Sequence, residues 1–189
     1  MSLRLFVAID IPATVRAELA RLIEQLRQIE GRARWVRPEG MHVTLKFLGE
    51  TPAEKLPGVR TALAKINSPN PVEIRFRGLG FFPNDRRPRV LWVGVEASPN
   101  LAELAQKVDH ELSQMGFPAE ERPFAPHLTL ARLSAPSRWD ALVRATEKLS
   151  SQEFGASRES EFYLIESFLK PSGAEYKRVA SFPFAKEMA

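Results

Sequence analysis

Apolar and polar positions alternate between two periods along this chain. The run Leu5-Phe6-Val7-Ala8-Ile9 predicts a first strand over Arg4–Asp10. Pro12 then opens a helix, because its missing N–H has no partner in a first helical turn anyway. Val15, Leu19, Leu22, Leu26 and Ile29 follow helical spacing, so Ala13–Ile29 is expected to be amphipathic, ending at Gly31. Residues 35–40 read as a loop or short strand leading into a strand over His42–Leu48 that Gly49 closes. A weaker helix follows over Pro52–Ile66, ended by the breakers of 67–71. Val72–Phe82 and Arg89–Val95 are expected to be strands joined by a hairpin loop over 83–88. Leu101, Leu104, Ala105, Val108, Leu112 and Met115 mark a third helix, which Gly116 ends. The proline-rich stretch 118–126 leads into a strand over His127–Leu133. A fourth helix over Ser137–Leu149 and strands over Glu161–Leu169 and Tyr176–Phe182, joined at Pro171-Ser172-Gly173, complete the pattern.

Two of these strands open on the same phrase. His42-Val43-Thr44-Leu45 and His127-Leu128-Thr129-Leu130 lie 85 residues apart, and each strand precedes a helix. The order of elements suggests an internal duplication of two lobes. The expected fold class is α+β with two lobes; if a pseudo-twofold axis relates them, their polar strand faces can meet across a groove. No composition break marks a linker, so residues 1–189 are expected to form one compact domain.

Composition narrows the chemistry. With 44% hydrophobic and 26% charged residues the chain is ordinary for a globular protein. No run approaches the ~20 apolar residues of a membrane span, and the first strand lacks the form of a signal peptide. A cytoplasmic location and no membrane partner are therefore expected. There is no cysteine, which removes disulfides, thiolate nucleophiles and cysteine metal sites. The net charge of +4 and pI near 9.6 suit a polyanionic partner. The densest basic cluster is Arg86-Arg87-Pro88-Arg89.

Side chains on a strand alternate faces. His42 and Thr44 therefore share one face, as do His127 and Thr129, while Val43, Leu45 and Phe47 are expected to point into a core. Two imidazoles and two hydroxyls around one groove could cleave a phosphodiester. One histidine takes a proton from the nucleophile and the other gives one to the leaving oxygen. Threonine hydroxyls can donate to the non-bridging oxygens. Neither motif offers enough neighbouring ligands for a metal, so no metal or other cofactor is expected. Only six of the 189 residues are threonine. Two of three histidines falling two before a threonine is then roughly a 0.3% coincidence. The third, His110, sits between Asp109 and Glu111 on a helix and reads as surface. Lys46 shares the face of His42 by alternation and could meet phosphate. Arg132 falls opposite His127 unless a bulge turns it back. Phe6, Phe82, Trp92 and Phe124 are candidates for base stacking.

These residues resemble the two-histidine (2H) phosphoesterase superfamily, specifically the RNA 2′,3′-cyclic phosphodiesterases once called 2′-5′ RNA ligases. The likeness runs from Arg4–Ile9 and Trp35-Val36 through His42–Thr44 and Phe47-Leu48-Gly49. It continues through Arg89–Gly94, Pro126–Arg132, and the segment from Ser167 to Gly173 and Tyr176. The resemblance implies a bilobal fold of two pseudo-twofold-related lobes, each an antiparallel sheet flanked by helices, with the active-site groove between them. It further implies hydrolysis of a terminal ribose 2′,3′-cyclic phosphate to a 2′-phosphomonoester. It implies His42 as proton donor, His127 as proton acceptor, and Thr44 and Thr129 on the phosphate. The expected partners are RNA with such ends or small cyclic nucleotides, with ATP or another nucleotide as a further occupant of the groove. The protein is expected to be a monomer. The alternatives are 2′-5′ ligation by the reverse reaction and a non-catalytic RNA-binding module.

Overall fold

The structure, a computed structural model, describes residues 1–134, 138–171 and 173–184. The chain runs β1 (Ser2–Ile9), α1 (Ala13–Ile29), β2 (Arg34–Trp35), β3 (Val43–Pro52), α2 (Leu56–Ala64), β4 (Val72–Phe82) and β5 (Val90–Ala97). It continues through α3 (Asn100–Ser113), β6 (His127–Arg132), α4 (Asp140–Glu147), β7 (Glu153–Glu159), β8 (Glu161–Lys170) and β9 (Gly173–Pro183). Two antiparallel sheets result, in the orders β3-β1-β8-β9 and β2-β6-β5-β4-β7. This is the α+β, bilobal class that the alternating periods predict.

The strands do not divide by sequence half. After α2 the chain crosses, and β4 joins the second sheet between β5 and β7. After β7 it crosses back, and β8 and β9 complete the first sheet beside β1. Each motif strand thus lies next to a strand that precedes it, β3 on β1 and β6 on β5. Strands from the far half of the chain finish both sheets.

Parity explains the burial. On β1, Leu5, Val7 and Ile9 enter the main core, while Phe6 and Ala8 on the other face join Tyr163 and Ile165 in a small second cluster. The helices turn their spaced apolar residues to the main core: Val15, Leu19, Leu22, Ile23 and Leu26 on α1, and Leu101, Leu104, Ala105, Val108 and Leu112 on α3. Each Val, Leu or Ile among them contributes about 1.5–3 kcal/mol when fully buried. That core is continuous across both sheets through Phe76, Leu91 and Phe162. No helix among the described residues is long and apolar enough to cross a membrane.

Three elements differ from the sequence pattern. Strand β7 was not expected, because Glu153–Glu159 buries one large apolar residue, Phe154, and pairs only at the sheet edge with β4. Strand β3 runs past Gly49 to Pro52, since Gly49 at φ +68° continues the strand through a bend instead of ending it. The second helix is split into a 3₁₀ turn at Ala53–Lys55 and α2, with Pro57 in its first turn. Helix α4 ends at Glu147; the expected start at Ser137, and Ser172 of the last turn, lie outside the described residues.

One polar strut lies between this apolar interior and the surface. Lys46 on β3 is 1% exposed, and its ammonium donates to Asp109 Oδ1 of α3 at 2.5 Å and to Pro118 O at 2.7 Å. Asp109 also accepts from the Glu120 amide at 3.1 Å. The strut therefore ties the first motif strand to the helix and loop that lead to the second. Removing the carboxylate leaves the buried cation only Pro118 O and the more distant Glu120 carboxylate at 3.9 Å, whereas Asp109, 25% exposed, can regain water. Asp109→Ala is expected to destabilise the fold by about 3 kcal/mol, and Lys46→Met by clearly less, in urea unfolding curves.

Candidate active site

The two motif strands share an irregularity. Along β1 and β3, Ala8 faces Thr44 but Val7 faces Lys46, so Leu45 is an extra residue. Along β5 and β6, Trp92 faces Thr129 but Leu91 faces Ala131, so Leu130 is extra. The bulge falls on the fourth residue of His-x-Thr-Leu both times. Bulges re-aim side chains beyond them. Before the bulge, Val43 and Leu128 are buried and His42, Thr44, His127 and Thr129 face a groove. Beyond it the parity is inverted, so Phe47 and Arg132 return to the groove face.

That inversion corrects two readings. Phe47 is not a core residue; it is 65% exposed and lines the groove. Arg132 is on the groove side, through the bulge that strict alternation omits. Lys46 also borders the groove, but its ammonium is committed to the strut with Asp109 and Pro118.

The groove holds about 780 Å³, within the range of small-molecule sites. Both histidines, both threonines, Phe6, Phe124 and Arg132 line it. Phe82 and Trp92 do not stand in the lining. Their rings meet at 5.2 Å with a 38° tilt, and Phe82 presses against the ring of His127 at 4.9 Å and 88°. They act as backing for that imidazole, not as a platform in the groove.

Each imidazole is held in the same way. His42 Nδ1 lies 3.0 Å from Gly40 O and His127 Nδ1 lies 2.8 Å from Ala125 O. A carbonyl only accepts, so Nδ1 carries the proton and Nε2 is left for chemistry in the neutral ring. The carbonyl comes from two residues earlier in both motifs.

The surroundings differ. His42 is wedged between Phe6, at 5.7 Å and 72°, and Tyr176, at 5.5 Å and 67°. Tyr176 in turn packs over Gly40, where a Cβ would come within 2.5 Å of its ring. Burial pushes the His42 pKa down, and the nearby Asp10 carboxylate opposes that shift. Asp10 is itself held by Arg16 at 2.6 Å and Arg178 at 2.9 Å. Burial also pushes the Tyr176 hydroxyl up, against the opposing fields of Arg132 and Arg4.

Sequence reasoning did not single out Tyr176, Phe47, Arg4 or Arg122 as groove residues. Tyr176 lies on the far end of the chain from His42 and in no repeated frame. The second bulge of β3, at Leu48, was equally silent. Among the described residues no group of three or more His, Asp or Glu could hold a metal ion.

Residues 9–92 and again 93–174 match the family model described as LigT like phosphoesterase. An RNA 2′,3′-cyclic phosphodiesterase of Methanothermobacter thermautotrophicus is 36% identical over 177 residues, covering 93% of this chain and 96% of the relative. A crystal structure of a Thermus thermophilus protein aligns with a TM-score of 0.80 at 33% identity, covering 97% of this chain and 99% of that one. The crystal structure of E. coli LigT complexed with 3′-AMP aligns with a TM-score of 0.79 at 25% identity, covering 98% and 100%. The chain belongs to the LigT-like phosphoesterase family.

The depressed His42 pKa has a thermodynamic consequence. Between the folded value and about 6.5 the unfolded chain binds the extra proton, so stability rises with pH across that window. The contribution is fully present above about 6.5 and is lost as pH falls through the folded value. His42→Gln is expected to flatten this part of the stability–pH curve in thermal unfolding.

Proposed function

We propose that this protein hydrolyses RNA terminal 2′,3′-cyclic phosphates to 2′-phosphomonoesters without a metal. The observation that carries the reading is the pair of identically bulged His-x-Thr-Leu strands whose imidazoles and hydroxyls line one groove. The relative named as an RNA 2′,3′-cyclic phosphodiesterase and the neighbour bound to 3′-AMP support it. The whole chain acts as one catalytic domain of two lobes, because the groove takes residues from both sheets.

In this reading His127 Nε2 takes a proton from water as the water oxygen bonds to phosphorus. His42 gives its proton to O3′ as the P–O3′ bond breaks. The products are a 2′-phosphate and a free 3′-hydroxyl. Thr44 and Thr129 donate to the non-bridging oxygens, and Arg132 balances the growing charge. Phe124 lies beside this centre as the side of a nucleoside pocket. Phe6, almost wholly buried, fixes the His42 ring instead of offering a face.

Burial of His42 makes its imidazolium a stronger acid, which suits a donor to an alkoxide leaving group. Its proton must be retained until reaction, and an anionic phosphate opposite the ring favours that. The sign of the pH dependence follows. Free enzyme loses the His42 proton at a pH below the ordinary imidazole value of about 6.5, so kcat/KM should fall as pH rises through that lower value. Bound substrate raises the value, so the basic limb of kcat should lie at higher pH than that of kcat/KM. Coincident limbs in the two profiles would remove His42 as the donor.

The direct test is incubation with a 2′,3′-cyclic-phosphate RNA in excess chelator, with the product phosphate located by NMR. A 2′-phosphate is expected; a 3′-phosphate or no turnover would falsify the reading. His42→Ala and His127→Ala should each lose about 10²–10⁴-fold in kcat with unchanged far-UV circular dichroism.

A further inference from the structure

A groove of about 780 Å³ accommodates a small molecule, so an RNA chain ending in it must leave across a neighbouring surface. The surface beside the second motif is lined with arginine. Arg34 on β2 stands directly opposite Arg132 on β6, and Arg132 stands opposite Val90 on β5. Residues directly opposite in an antiparallel pair project to one face. Arg132 and Val90 line the groove, so exposed Arg34 carries the same face outward.

Immediately before Val90 lies the β4–β5 hairpin loop, with Arg86, Arg87 and Arg89 all exposed. The loop is an ordered construction. The Arg89 amide donates to Phe82 O at 2.7 Å, and the Leu133 amide donates to Arg89 O at 2.8 Å. Asn84 Oδ1 accepts from the amides of Arg86 at 3.1 Å and Arg87 at 3.0 Å. Phe82 at its base touches His127. The loop is thus anchored to the second motif from two sides.

The charges of these side chains are not neutralised internally. Among the described residues none of Arg34, Arg86, Arg87, Arg89 and Arg132 forms an ion pair, and Asp85 is the one acid within the loop. Like charges directly opposite across a strand pair are destabilising. The Arg34–Arg132 pair therefore carries a repulsion that a polyanion lying between them would relieve.

We propose that Arg34 and the hairpin arginines Arg86 and Arg87 form a track for single-stranded RNA. It takes the phosphates on the 5′ side of the terminal nucleotide held in the groove. The inference rests on the reading of that groove as a cyclic-phosphate end site. It assigns the track to length recognition and leaves the chemistry to the groove. The track meets phosphate and not base edges, so it is indifferent to sequence and sensitive to salt.

The test compares the unmodified protein, Arg34→Ala and an Arg86→Ala/Arg87→Ala double variant on two substrates. One is a 2′,3′-cyclic mononucleotide. The other is a single-stranded oligoribonucleotide ending in the same cyclic phosphate. The double variant is expected to lose about ten-fold in kcat/KM on the oligoribonucleotide, mainly through KM, and nothing on the mononucleotide. Its log–log salt slope should become shallower by roughly 0.7 for each phosphate that the variant no longer neutralises. Arg34→Ala should act in the same direction. Equal losses on both substrates, or no loss on the oligoribonucleotide, overturn the track. If the unmodified protein turns over neither substrate, the cyclic-phosphate reading fails instead. The track is then judged by affinity for the same oligoribonucleotide: salt-sensitive binding weakened in the double variant supports it, and unchanged binding overturns it.

Discussion

Each motif strand is held along one edge by the strand before it, and each pairing carries one leucine too many. That extra residue, Leu45 in β3 and Leu130 in β6, is the constraint on which the site depends. Both leucines are buried, as are the residues that follow them, Lys46 and Ala131. Two successive inward residues are impossible on a regular strand. The bulge permits them, and in doing so it sends the next side chain outward. In one copy that side chain is Phe47 and in the other Arg132. The same backbone device therefore furnishes the groove with an aromatic ring on one side and a guanidinium on the other.

The two halves diverged most in what surrounds the imidazole. Both rings donate their Nδ1 proton to a carbonyl two residues back, so their tautomers match. Yet His42 is enclosed by Phe6 and Tyr176, whereas His127 leans on Phe82 alone among the aromatic rings described. Enclosure penalises the charged form. The enclosure lowers the proton affinity of His42 without a change in the phrase itself. The difference is supplied from outside the motif, and Tyr176 comes from the last strand of the chain.

Much of this was legible in the sequence alone. The helical stripe of α1 and the runs of β4, β8 and β9 state their elements openly, since their apolar residues repeat with the right period. The duplicated His-x-Thr pointed to four residues that line one groove, because histidine is rare here and the frame recurs. Strand β7 was hidden, because an edge strand with one buried side chain has little periodicity to show. Phe47 was misplaced for a sharper reason. Alternation assumes a constant register, and a bulge is set by the partner strand, which a local pattern does not contain. Arg34 was not legible as part of any surface, for it acquires meaning only when β2 pairs with β6.

The exchange of strands between the sheets bears on why the groove keeps its shape. The family pattern matches residues 9–92 and 93–174, so the division falls inside β5. Neither segment contains a complete sheet. β4 belongs to the first match but lies between β5 and β7, and β8 belongs to the second but lies beside β1. Parting the lobes would therefore require more than breaking a polar contact at the groove. The main core is one cluster that takes side chains from both sheets, so separation would expose apolar surface to water. At about 25 cal/mol per Å² of apolar surface, that cost far exceeds any single hydrogen bond in the site. The two imidazoles are thus held in relation to each other by the core, and the strut from Lys46 to Asp109 ties β3 to α3 at the edge of the groove. The groups proposed to be catalytic can sit on an open, polar groove because their spacing is decided beneath it.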